Sequence, residues 1–187
     1  MFRRPSIILF FVLAGCAQFS LVEPTQRVTV AKVYSVSPST TWSGFTTQNW
    51  VRWTVDGPLL QALTFIEPVE TGRPLLDISE PKNLPLFNAD MTAPEVMELF
   101  KATMQQMGLH QLAARGLEPA EFGKISGFRF DFTAVSKDGL NYSGFAAGAV
   151  QSDKLHLVFY TGSQLVYFEK HREDARKVIQ SIQLQKT

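Results

Sequence analysis

Period-two alternation of apolar and polar residues dominates the C-terminal third of the chain. Phe128, Phe130, Phe132 and Ala134 alternate with Arg129, Asp131 and Thr133, which predicts a strand with one apolar face. Asp138-Gly139 marks a turn, and residues 140–151 follow as a strand rich in small side chains, among them Gly144, Ala146, Ala147, Gly148 and Ala149. Ser152-Asp153 makes the next turn. Leu155, Leu157 and Phe159 then alternate with His156, Val158 and Tyr160 in a third strand. Connections this short join antiparallel neighbours, so the three strands form a meander. Gly162-Ser163 interrupts the pattern ahead of a short apolar bridge at 165–168. Ala175, Val178, Ile179 and Ile182 recur at helical spacing, which predicts a helix over 172–183 with that face against the sheet.

The first half carries the same alternation in shorter pieces. Val28, Val30, Val33, Tyr34 and Val36 predict a strand over 27–36, ended by Pro38. Residues 42–48 read as a loop holding Trp42 and Phe45. Val51, Trp53 and Val55 alternate with Arg52 and Thr54, Asp56-Gly57 turns the chain, and 59–65 returns as the second strand of a hairpin. From 68 to 89 the pattern fades among Pro68, Pro74, Pro81 and Pro85, which predicts a surface connection with a short edge strand at 74–78. Thr92-Ala93-Pro94-Glu95 is a capping box, and Val96, Met97, Phe100, Met104 and Met107 continue it at helical spacing to a stop at Gly108. Residues 110–115 are expected to add a short helical piece, broken by Glu118-Pro119.

The N-terminus follows a different rule. Arg3 and Arg4 precede an apolar run from Ile7 to Leu13, and small residues lead to the single cysteine. That is the layout of a secretory signal peptide. The run is about half of the ~20 residues a spanning helix needs. Leu13-Ala14-Gly15-Cys16 resembles the lipobox of bacterial lipoproteins at all four positions. The resemblance implies a diacylglycerol thioether on Cys16, cleavage just before it, and acylation (palmitate or a similar chain) of the new amine. Two or three acyl chains anchor stably, because each buried CH₂ contributes about 0.8 kcal/mol. Residues 1–15 are then a removed signal peptide, 16–26 a lipidated N-terminus and tether, and 27–187 a single domain. Ala17 and Gln18 follow the cysteine where many proteobacterial relatives retained in the inner membrane have Asp. The expected location is the cell envelope, at the outer membrane and facing the periplasm.

Removing Arg3 and Arg4 with the leader leaves 16 basic against 17 acidic residues, a net charge of −1. No basic patch or stripe marks a nucleic-acid protein. With Cys16 as the sole cysteine, intrachain disulfides and thiolate metal clusters are excluded.

The closing arrangement resembles the PsbP-like fold, shared by photosystem II extrinsic subunits, a nuclear-import cofactor family and many small bacterial lipoproteins. The resemblance rests on Gly127-Phe128-Arg129-Phe130-Asp131-Phe132, Asn141-Tyr142-Ser143-Gly144, Leu155-His156-Leu157-Val158-Phe159-Tyr160 and Ser181-Ile182. It implies an α+β domain in which a central antiparallel sheet is flanked by helices, an α/β/α sandwich. Members of that family mostly act as binding or assembly factors and share no catalytic residues.

Chemistry motifs are sparse. His110, His156 and His171 form no H-x-H or H-x-x-x-H pair, so no single element supplies two metal ligands. His156 reads as a structural histidine on a strand, and His171 as part of a solvated turn. Neither Ser143 nor Ser163 sits in a nucleophile elbow. The expectation is a non-enzyme without cofactor or metal: a lipid-anchored binding or assembly module whose partners are the bilayer, through Cys16, and an envelope protein. Trp42, Phe45 and Trp50, with the Pro-rich connection, are the expected partner surface. The alternatives are a carrier with an apolar cavity beside Gly144–Ala149, and a hydrolase joining His156 or His110 to a serine and a carboxylate.

Overall fold

Apolar residues on both faces of the central strands require cover on both sides, and the chain supplies it unevenly. The computed structural model describes residues 19–24, 27–78, 80 and 83–185. The leader and Cys16 lie outside the described residues. In chain order the strands are β1 (Ser20–Val22), β2 (Val28–Val30), β3 (Tyr34–Val36), β4 (Trp42–Thr46), β5 (Trp50–Thr54), β6 (Gln61–Glu70), β7 (His110–Phe122), β8 (Ile125–Val135), β9 (Asn141–Gln151), β10 (Lys154–Ser163) and β11 (Gln183–Leu184). The helices are α1 (Ala93–Gln106) and α2 (Tyr167–Gln180). Eight strands form one sheet in the order β1-β4-β5-β6-β10-β9-β8-β7, and β11-β3-β2 form a small second sheet. Every pairing is antiparallel.

Two cores lie on opposite faces of the large sheet, because successive strand residues point opposite ways. Val158 and Tyr160 of β10 face Trp53, Leu63 and Phe65, beneath α2 and the small sheet. Leu157 and Phe159 face the other way, towards α1 and the Pro-rich connection. On that side the Phe100 ring sits 5.0–5.4 Å from Phe130, Phe132 and Phe159. The domain is sheet-dominated: each face has a single helix, and β2-β3-β11 or the connection covers the rest.

The predicted meander forms as β8-β9-β10, with Ser152 and Asp153 in the left-handed conformation (φ 51° and 61°) that a tight hairpin needs. The capping box of α1 forms too: Glu95 accepts the Thr92 N–H at 2.7 Å, and Gly108 (φ 92°) follows the helix.

Several expectations are corrected. Residues 27–36 are two strands, turned at Ala31 and Lys32 (φ 46° and 64°). Residues 42–46 are a strand and not a loop. Residues 110–122 form β7 and not a helical piece, because pairing with β8 outweighs local helix preference. The last helix starts at Tyr167, so the apolar bridge runs into it. The stretch at 74–78 contributes only an isolated bridge, Pro74 to Leu86. Ser20–Val22, within the stretch assigned to the tether, joins the large sheet beside β4.

Candidate functional site

Polar side chains under the start of α2 come together in a way the sequence did not announce. His171 is buried and not a solvated turn; its Nε2 lies 2.5 Å from Asp56 Oδ2. Lys170 Nζ donates to both Asp56 oxygens at 3.0 Å. Desolvation alone would raise the Asp56 pKa, but hydrogen bonds from His171 and Lys170 outweigh it and hold the carboxyl below its ordinary value. On the same helix, Asp174 accepts from Ser39 Oγ at 3.0 Å. Through Lys170 and His171, Asp56 ties α2 to the β5–β6 turn.

His156 is buried in the other polar site of the sheet. Its Nδ1 has no partner, and the Tyr34 ring meets it edge-on at 6.0 Å. Burial first, and then the Lys154 charge, lower its pKa. Among the described residues, neither His156 nor His110 bonds a serine or a carboxylate. Among those residues no group of three or more His, Cys, Asp and Glu could hold a metal.

The cavity expected beside the small-residue strand is filled. A Cβ on Gly144 would lie 2.3 Å from Phe132 Cζ, and one on Gly148 would lie 2.5 Å from the His156 carbonyl oxygen. Register places Phe132 beside Gly144 and Phe128 beside Gly148, so the rings of β8 occupy the space the glycines leave. A groove of about 480 Å³ does lie elsewhere, between the free edges of β1 and β2, with Val22, Val30, Val51 and Trp53 lining it and Lys32 and Glu67 paired at 2.9 Å.

Of the expected partner surface, Trp42 drops out. It is fully buried against Trp53 and near His171. The Pro-rich connection is mixed: Leu75, Leu76, Leu84 and Phe87 are in the core, while residues 70–73, Glu80, Asn83, Leu86 and Asn88 are exposed. Phe45 and Trp50 are half-buried and touch each other edge-on at 5.5 Å. Phe19, half-exposed, adds a third ring 5.2 Å from Phe45, and Leu21 on the same strand face is 67% exposed. Arg52 stacks over Trp50 at 4.7 Å. This stripe sits on β1, β4 and β5, at the end of the sheet where the chain arrives from Cys16.

A second apolar surface lies where β6 and β9 begin and β10 ends. Leu59 is 77% exposed, Leu165 94%, and Leu140 and Val166 about half. They come from three loops that hydrogen bonds hold side by side: Tyr142 Oη donates to the Leu59 carbonyl at 2.6 Å, the Ser163 N–H to Leu60 at 2.8 Å, and the Gln164 N–H to Asn141 at 2.8 Å. The only hint in the sequence was the apolar pair Leu165-Val166 lying between a Gly-Ser break and a charged helix. Leu59 and Leu140 gave none, since only the β6-β10-β9 register brings them near.

No helix among the described residues is long and apolar enough to cross a membrane. No protein-family model matches the chain, and no curated protein matches it. Among solved structures, it is similar to the cyanobacterial PsbP protein (CyanoP) of Synechocystis sp. PCC 6803. That match has 13% identity and a TM-score of 0.46, over 92% of this chain and 96% of the other. It is also similar to LpqN of Mycobacterium tuberculosis, a protein involved in cell envelope biogenesis, with 11% identity and a TM-score of 0.40, over 93% and 88%. Both scores are too low to establish a shared fold.

Proposed function

We propose that the protein is a lipid-anchored bacterial envelope protein, held by acylated Cys16 at the outer membrane and facing the periplasm. There it acts as a non-catalytic binding or assembly module of PsbP-like architecture. One observation carries the reading: Leu59, Leu140, Leu165 and Val166 are exposed together where β6 and β9 begin and β10 ends, away from the edge strand β1 by which the chain enters the large sheet. Pairing sets Ser20 level with Gly44, Trp53 and Leu63 near the start of β6, so three strand spacings of about 4.8 Å separate β1 from β6. An exposed apolar cluster rimmed by polar residues is the usual mark of a protein contact. The filled space around Gly144 and Gly148 removes the reason for placing a carried ligand there.

Two measurements test this. Mass spectrometry of the N-terminal peptide should show a lipid-modified Cys16 that Cys16→Ser loses together with membrane retention. A photo-crosslinking residue at Leu165, in cells, should give a discrete adduct to an envelope protein that the same residue at exposed Glu173 does not give. An unmodified Cys16 would overturn the anchor, and equal labelling at both positions would overturn the surface.

A further inference from the structure

We infer that the stripe formed by Phe19, Leu21, Phe45 and Trp50, with Arg52 stacked on it, lies against the surface of an anionic phospholipid bilayer and sets how the domain stands on the membrane. The inference rests on the lipid anchor proposed above.

The length of chain outside the described residues selects the occupant. Only Ala17 and Gln18 lie between Cys16 and Phe19, and the three Cα–Cα steps reach at most about 11 Å. The tether expected from the sequence extended to residue 26, but β1 already pairs with β4 from Ser20 onward. A cysteine held at the interface by its acyl chains therefore keeps Phe19 close to the headgroups. The domain has little freedom to move away.

The composition of the stripe suits that neighbour. Phe19 and Leu21 share one face of β1, and Phe45 and Trp50 continue it across β4 and β5. Trp50 Nε1 is buried without a partner, so the exposed part of its ring is hydrocarbon. Aromatic side chains with an adjacent cation favour the headgroup boundary. Arg52 has no ion-pair partner among the described residues; it bonds Thr64 Oγ1 and stacks on Trp50. Arg52 is partly buried, so the portion of its guanidinium that reaches the surface, free of carboxylates, is what a lipid phosphate would meet. The turn beside the stripe, Thr46-Thr47-Gln48-Asn49, carries no acid of its own, and Asp77, whose N–H bonds Asn49 Oδ1, is paired with Arg73.

Trp50 is also the reporter. Trp42 and Trp53 are buried, so a quencher in the bilayer reads Trp50 alone. The full lipidated protein is reconstituted into vesicles of phosphatidylcholine and phosphatidylglycerol with brominated acyl chains. Trp50 emission is expected to fall by about half, as for a ring at the headgroup–acyl boundary. Trp50→Phe should abolish the quenchable component. Phe19→Ser, or Leu21→Ser should the first not fold by near-ultraviolet circular dichroism, should at least halve the quenching while co-sedimentation persists. Vesicles of phosphatidylcholine alone should quench less, and equal quenching there would overturn the anionic assignment. Co-sedimentation without quenching above that of Trp50→Phe overturns this inference and leaves the anchor standing. Failure to co-sediment, with no lipid on Cys16, overturns both.

Discussion

His171 Nε2 and Asp56 Oδ2 lie 2.5 Å apart, joining the first turn of α2 to the β5–β6 turn across the face that α2 covers. The pair resembles half of a catalytic triad, yet its surroundings give it a mechanical task. Asp56 also takes Lys170, and Trp42 packs 6.5 Å from the imidazole. Holding the start of α2 in this way fixes the neighbouring Leu165 and Val166.

Asp56→Asn is expected to lower stability at neutral pH by about 1–2 kcal/mol, as for a charged hydrogen bond only a quarter exposed. The sign of the pH dependence follows from its depressed pKa. The folded state favours the carboxylate more than the unfolded chain does, so the contribution is complete above the ordinary value of about 3.9. It is lost as pH falls through that value to the folded one. Melting curves between pH 6 and pH 2.5 should show a smaller acid-induced drop in Asp56→Asn than in the parent. Parallel drops would show that Asp56 gains nothing from its partners.

His156 works in the opposite chemical sense with the same direction of effect. Its pKa is lowered by burial, then by Lys154, so the native imidazole is neutral near pH 7. The unfolded chain binds the proton more readily. Stability is therefore full above the ordinary value of about 6.5 and declines as pH falls from there towards the folded pKa. His156→Leu removes a buried Nδ1 that has no partner, so it should cost little at pH 7.5 and flatten the slope between pH 7 and pH 5. Urea unfolding at several pH values measures both.

The elements with a strong local signature were legible. Phe128, Phe130 and Phe132 announce β8 by alternation alone, and Thr92 with Glu95 announces the start of α1. What was missed depends on partners far along the chain. β4 carries a glycine mid-strand, which weakens its signal, yet a Cβ at Gly44 would stand 2.9 Å from Trp53 Cδ1; the glycine makes room for the indole. Residues 110–115 are good helix formers that strand pairing overrides. The turn at Ala31-Lys32 takes a left-handed path without the Gly or Asn that usually signals one. The candidate surfaces were the least legible of all. Trp42 and Trp50 look alike in sequence, but they point to opposite faces of the sheet. Leu59, Leu140 and Leu165 meet only through register.

Gly144→Ala should be among the more damaging small substitutions. The new methyl would meet Phe132 Cζ at 2.3 Å and the Tyr160 carbonyl oxygen at 2.5 Å. The ring can shift, but the carbonyl belongs to the β9-β10 ladder and cannot move without breaking it. Overpacking of this kind costs about 1–3 kcal/mol. Gly139→Ala is the contrast: it meets nothing within 4 Å, and its penalty comes only from the left-handed backbone (φ 79°), about 1 kcal/mol. Chemical denaturation should place Gly144→Ala below Gly139→Ala. The reverse order would mean that β9 relaxes enough to admit the methyl.

Ser181 gives the last test, because it ties three elements together at the end of α2. Its hydroxyl donates to the Val178 carbonyl at 2.7 Å and accepts the Ser37 N–H at 2.8 Å, while its own carbonyl accepts Arg27 at 3.1 Å. The small sheet covers part of one core, so this junction holds Tyr34 and Val36 over Phe65 and Val158. Ser181→Ala removes both hydroxyl bonds and keeps the backbone one. The Ser37 N–H is near solvent and recovers water, so the expected loss is about 1 kcal/mol and not the cost of a buried orphan. Ser181→Thr keeps the hydroxyl and should keep most of the stability. If the small sheet and the large one unfold as one unit, Ser181→Ala shifts the urea midpoint without changing the slope. A reduced slope, with early loss of amide protection in 28–36 by hydrogen exchange, would show that the small sheet lifts away first.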